Sequence, residues 1–273
     1  MTPDRRRAIT AVVWKDLRVA LSSKSVVLPL AIVPVIFILV LPITLALVAP
    51  SAVTDAGRDL IRQLEGFSPI LLASLEGLDD AQKIVVMGLV YMMAPLFLVL
   101  PVMFASVLAS DSFAGEKERR TIEALIYSPI ADRDLLVAKI VSAWLPAVAI
   151  GLLAFIVYAL TANIAAWPVM GRVFLPTWMW VVLVLWVMPA AAAVSLGATV
   201  MVSSRVSTVQ EAYQLGGVVV LPIIALVIAQ ATGVMYLSVW LVAALGGLLW
   251  AVAALLVWLG GKRFGRAQMI ARL

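Results

Sequence analysis

Long apolar runs of nearly equal length alternate along this chain with short charged segments. Uncharged stretches cover Val26–Ala49, Ile84–Ala109, Ile140–Ala162, Trp178–Val202, Leu215–Met235 and Leu237–Gly261, each of 21 to 26 residues. At about 1.5 Å per residue, a helix of the shortest run crosses a roughly 30 Å hydrocarbon layer. Lipid offers backbone amides no partner, so helices, which satisfy their own, are the predicted form. The pattern predicts an all-α polytopic membrane protein, six transmembrane helices in one domain over residues 1–273, with no internal repeat.

The polar segments differ in kind. Over Arg5–Ser23, Ile9, Val12, Val13, Leu17 and Leu21 recur at helical spacing, while Arg6, Lys15 and Arg18 lie off that face. Residues 1–25 thus predict an interfacial amphipathic helix, its basic side chains toward anionic membrane lipid. Asp16 falls inside the apolar arc and needs either solvent or a specific partner. Residues 50–83 carry Leu60, Ile61, Leu64 and Ile70–Leu72 around Pro69, and form either a membrane-hugging connector or short helices over an exit path. Asp79 and Asp80 lack the spaced partners of a metal site. Within the spans, Pro29, Pro34, Pro42, Pro95, Pro101, Pro146, Pro189 and Pro222 predict kinks or freed carbonyls. The small residues Ala190–Ala193, Ser195 and Gly197 offer a face for close helix approach.

Composition fixes what chemistry is open. The chain is 64% hydrophobic and 13% charged, with a mean hydropathy of +1.11, which suits a membrane protein. With both termini in the cytoplasm, 16 basic residues lie inside and only Arg58, Arg62, Lys83 and Arg172 lie outside. That bias follows the positive-inside rule and predicts a multi-pass protein of the plasma membrane. The basic excess is therefore topological, and no aromatic-interleaved patch points to nucleic acid. Cysteine and histidine are absent, which excludes thiol and imidazole catalysis and nearly all zinc sites. The first apolar run, at 24 residues, exceeds the h-region of a signal peptide and is expected to stay.

No Walker A pattern occurs, and Gly260-Gly261-Lys262 reads as the end of the last span. Every charged residue falls outside the spans as drawn, so no ionisable group stands at mid-bilayer to couple ions to transport. Energy for any transport is expected to come from elsewhere, with a self-sufficient carrier, coupled through carbonyl-based sodium sites, as the other reading. The chain is not expected to be an enzyme.

The densest charge lies in the loop 110–139 between the second and third spans. Glu116 and Arg120, and Arg119 and Glu123, stand at i,i+4 on a helix continuing the second span to Tyr127. Pro129 disfavours helix at Ser128 and turns the chain. Asp132 is the expected N-cap of a second helix, Asp134 complements its dipole, and Lys139 is expected to snorkel where the helix meets the membrane. This charged hairpin serves as a docking surface for a second protein or as a solvated turn.

At these residues the sequence resembles the type-2 ABC transporter permease family. The resemblance rests on GEKERRTIEALIYSPI, on Leu135-Leu136-Val137-Ala138-Lys139, and on Trp14-Lys15-Asp16-Leu17-Arg18, with the six-span layout in support. Arg120 departs from the glycine common there. The resemblance implies an exporter in which two permease copies, as a homodimer, each bind a nucleotide-binding ATPase subunit. The chain would hold no cofactor, with ATP and Mg bound by that partner. Glu116, Glu118, Arg119, Arg120, Thr121, Glu123, Ser128, Pro129, Asp132 and Arg133 would include the coupling helix, and Asp16, Arg18, Arg205 and Glu211 would make secondary contacts. The alternative is a membrane scaffold that recruits a cytosolic protein and moves nothing.

Overall fold

The computed structural model describes residues 10, 32–54, 58–59, 75–118, 132–203, 208–232 and 237–263. Nearly all of the interfacial segment 1–25, the bulk of the outer amphipathic stretch and the tip of the charged hairpin lie outside these residues. Within them the chain is helical, without a strand. Helix α1 is the apolar run Ile32–Val48, shorter than the predicted span because residues 26–31 are not described. Helix α2 joins Asp80–Val85, Val86–Met92, Met93–Phe97 and Val99–Glu118. Helix α3 is Asp132–Ala165, α4 the single turn Trp167–Met170, and α5 runs through Trp178–Val182, Leu183–Val187 and Met188–Ser203. Helix α6 joins Val209–Gly216, Gly217–Val219 and Val220–Ala231, and α7 is Val239–Arg263. Among the described residues, five helices are long and apolar enough to cross a membrane.

Several expected boundaries change. Helix α6 starts at Val209, six residues before the predicted Leu215, and closes at Ala231 rather than Met235. The last apolar span ends at Gly260, within a residue of the expected end, but the helix does not stop there: α7 continues to Arg263. A β-carbon at Gly260 would lie 3.2 Å from the Val200 side chain, so glycine here permits a close helix contact. Asp132 is already helical, the first residue of α3 rather than its cap. Asp79 and Asp80 acquire structural work. Asp79 forms a reciprocal capping box with Gln82, and Asp80 accepts from Arg58 at 3.1 Å.

Helices α2 and α5 are the most buried spans, while α6 and α7 lie mostly outward. The small-residue face of α5 explains its place. Ala190, Ala192 and Ser195 are fully buried, and Gly197 lets α7 approach so closely that a β-carbon would stand 2.8 Å from Leu256 Cβ. An aromatic cluster fills the space between α2, α3 and α5. Trp180 stacks on Tyr158 at 5.1 Å and on Phe155 at 5.4 Å, and meets the edge of Phe97 at 5.5 Å.

Proline shapes the same core. Each of three wide, i→i+5 turns, Ile36–Val40, Val86–Met92 and Leu183–Val187, ends just before a proline: Pro42, Pro95 and Pro189. A proline ring clashes with the carbonyl four residues back and has no N–H, and a widened turn moves that carbonyl aside. In the i→i+5 register the acceptor that Pro95 leaves vacant is Val90. The indole of Trp180 donates to the Val90 carbonyl at 2.9 Å, and Tyr158 Oη donates to the Leu89 carbonyl at 2.6 Å. Trp144 donates likewise to the Pro189 carbonyl at 2.9 Å, and Ser195 to Val102 at 2.9 Å.

The glycine contacts yield a paired test. Gly197→Ala places a methyl against Leu256 and is expected to destabilise the detergent-solubilised protein by about 1–3 kcal/mol. Gly247 on α7 has open space where a β-carbon would go, so Gly247→Ala is expected to leave the melting temperature unchanged or higher. Equal melting of the two variants would contradict the α5–α7 packing.

Candidate functional site: the roots of a charged hairpin

Both helices that lead into the charged hairpin run beyond the predicted spans. Helix α2 continues to Glu118, nine residues past Ala109, and α3 begins at Asp132, eight before Ile140. Each extension is about 12–14 Å long. Glu116 and Glu118 lie on the last described turn of α2, and Asp132 and Arg133 on the first of α3. Arg119, Arg120, Thr121, Glu123, Ser128 and Pro129 lie outside the described residues, as do Asp16, Arg18 and Arg205.

The roots of the hairpin are not solvated. Asp111 and Lys139 are buried, at 5% and 2% exposure, which corrects the expectation that all charge stands clear of the bundle and that Lys139 reaches out to the interface. Lys139 Nζ donates to the Ser112 carbonyl at 2.5 Å and lies 3.5 Å from Ser112 Oγ, tying α3 to α2. Ser142 Oγ donates back to the Lys139 carbonyl at 2.9 Å within α3. A buried ammonium loses hydration and must recover it from hydrogen bonds, so this clasp ties the lysine to one place.

A third helix joins the two roots. Gly115, buried on α2, faces Asp111 and Val209: a β-carbon there would lie 3.2 Å from Asp111 Oδ1 and 3.4 Å from Val209 Cγ2. Helix α6 thus begins directly against the extension of α2. Thr208 Oγ1 accepts the Glu211 backbone N–H at 3.2 Å, and the Glu211 carboxylate, exposed in that first turn, complements the helix dipole. Glu211, between the apolar runs that end at Val202 and start at Leu215, stands on α6, which starts early behind this cap.

The Ser112–Lys139 clasp and the Gly115–Val209 contact were not singled out from the sequence. Gly115 carried the available signal, since glycine inside a helix costs about 1 kcal/mol relative to alanine and marks a close approach. Among the described residues no group of three or more metal-ligating side chains occurs. The clasp and the α6 contact join the two helix extensions at one base.

The chain has no cysteine, so the base can be tested directly. In a Gly115→Cys, Val209→Cys variant the new side chains face each other: a β-carbon at 115 lies 3.4 Å from Val209 Cγ2, which puts the two β-carbons within about 5 Å, near the separation a disulfide spans. Mild oxidation is expected to give an intramolecular disulfide, read as a mobility shift that reductant reverses. A Gly115→Cys, Gln214→Cys pair, whose second position is exposed, is the control. Failure of the first pair to link would contradict the contact of α6 with α2.

A comparison with curated proteins found no match. A family model described as ABC-2 family transporter protein matches residues 10–243, from the amphipathic segment to the start of α7. The match covers most of the chain and includes every predicted coupling residue, and the protein belongs to the ABC-2 transporter permease family, a membrane-spanning permease of an ABC transporter.

Proposed function

We propose that this permease is the membrane half of an ATP-driven exporter, moved by a separate ATPase subunit that docks on the hairpin between α2 and α3. One observation carries the reading: the hairpin's roots are clasped by Lys139 and Ser112 and abutted by α6, beside spans whose middle holds no charge. A force applied at Glu116–Arg133 passes into α2 without a flexible joint at the bundle edge. Helix α2 lies among the most buried spans and carries the wide turn Val86–Met92, where a helix bends more readily. Family membership supports association with an ATP-binding subunit, which would hold ATP and Mg. Two permease copies forming a homodimer agree with the usual closed symmetry of oligomers.

Orientation follows the loop charge: 16 basic residues on the hairpin side against 4 opposite put the hairpin and both termini in the cytoplasm of a plasma-membrane protein. Helix α6, with exposed Glu211, adds a lesser contact for the same partner, together with Arg205. The family's usual direction, export, completes the reading.

The test is ATPase activity of the permease assembled with its partner in vesicles. Glu123→Lys and Pro129→Ala are expected to drop the rate to that of the isolated ATPase subunit while leaving membrane insertion intact. Undiminished stimulation in both variants would refute the coupling role. A complex that hydrolyses ATP yet moves nothing across the vesicle would favour the scaffold.

A further inference from the structure

At the end of the bundle away from the hairpin, a groove of about 750 Å³ runs along α3. Phe155, Ala159 and Ile164 build its wall on α3, and Trp167, Val173 and Pro176 of the following connection build the other. That connection is pinned. Asn163 Nδ2 donates to the carbonyls of Ala159 at 2.7 Å and Leu175 at 2.8 Å, and its Oδ1 accepts from the N–H groups of Phe174 at 2.9 Å and Leu175 at 3.3 Å. Gln82 Nε2 adds a bond to the Val169 carbonyl at 3.1 Å. Gly171, at φ +59°, closes α4 in the left-handed conformation that glycine adopts without strain. The groove is therefore preformed.

Its chemistry selects the occupant. Asn163 and the indole N–H of Trp167 are the polar side-chain groups among the lining residues, and the four bonds of Asn163 use the full capacity of an amide. A peptide or sugar would leave its own polar groups unmet against this wall, whereas hydrocarbon leaves none. From Phe155 to Ile164 the wall rises about 14 Å, close to the roughly 15 Å of hydrocarbon in one leaflet. Trp167 and Trp178, 53% and 78% exposed where α3 ends and α5 begins, mark headgroup depth. Arg172, next to Val173 in the chain, is exposed and makes no ion pair among the described residues.

We propose that this groove holds one acyl chain of a phospholipid from the leaflet opposite the hairpin, with the lipid phosphate at Arg172. The groove supplies an apolar slot of one leaflet's depth, and the arginine supplies the charge an anionic headgroup meets. The inference needs the membrane-spanning fold alone and stands or falls apart from the coupling reading.

The full chain is reconstituted in vesicles of phosphatidylglycerol and phosphatidylcholine, each supplied in turn with a photoreactive diazirine in its acyl chain, and the labelled residues are mapped. Ile156, Leu160 and Ile164 are expected to label several-fold more than Leu221 on α6 and Leu248 on α7, which are similarly exposed. Ala159→Phe, which fills the slot, is expected to lower groove labelling several-fold and spare the two control positions. Arg172→Glu, a surface change that the fold tolerates, is expected to abolish the preference for phosphatidylglycerol. Equal labelling of groove and controls would overturn the proposal, as would groove cross-links to residues 55–74 or to a second copy in place of lipid. A preference unchanged by Arg172→Glu would overturn it as well.

Discussion

In hydrocarbon a backbone carbonyl without a donor costs several kcal/mol, and this fold is organised around meeting that demand where proline breaks the helical ladder. Pro95 removes the donor that Val90 would use in the widened turn, and Trp180 replaces it from α5. Tyr158 adds a second bond one residue earlier, donating from α3 to the Leu89 carbonyl. These two bonds place both rings, and the rings place Phe97 and Phe155 around them. Three spans thus meet at a site where interhelical bonds and aromatic packing reinforce each other. Prolines that would weaken isolated helices instead fix how α2, α3 and α5 pack.

The hairpin end applies the same rule to charge. Lys139 lies 2% exposed and bonds to the Ser112 carbonyl, so the two helices that leave the membrane are joined where they leave it. Glycine does the remaining work by letting backbones close: Gly115 admits the start of α6, Gly197 admits α7, and Gly260 admits Val200. The outcome is a stiff base beneath a charged tip, set against a central helix that carries a proline and a wide turn. The proposed drive by a separate ATPase subunit calls for this combination of rigidity at the point of force and compliance within the bilayer. Polar bonding at the other end of the bundle serves a static purpose, with Asn163 spending its amide on holding one connection in place.

Element type was legible in the sequence because a 3.6-residue helix is the form an uncharged run of such length takes in lipid, and Trp178–Val202 matches the predicted span residue for residue. The small-residue face of α5 was equally legible, since Ala190, Ala192 and Gly197 have little other use at adjacent helical positions. Ends were harder. Hydropathy stops at the first charge; the charged residues beyond it were legible as helix, but not the burial of Asp111 and Lys139 among them, and Thr208 starts α6 six residues before its apolar run. Gly260 closes the apolar span as expected, but the helix runs on past it and the glycine also makes a contact, because a pattern along one helix carries no information about its neighbour's shape. Of the candidate site, the sequence located the charged hairpin but missed its clasp, which joins Ser112 and Lys139 across 27 positions of chain.

The central claim, that an ATP-binding partner grips the hairpin, is tested most directly by photo-cross-linking from position 118 in intact cells. A photoreactive residue replacing Glu118 is predicted to form an adduct with a protein that carries a Walker A loop, and to do so before any membrane-impermeant reagent can reach it. Labelling of that position by an impermeant reagent from outside the cell, or adducts with lipid alone, would contradict the account.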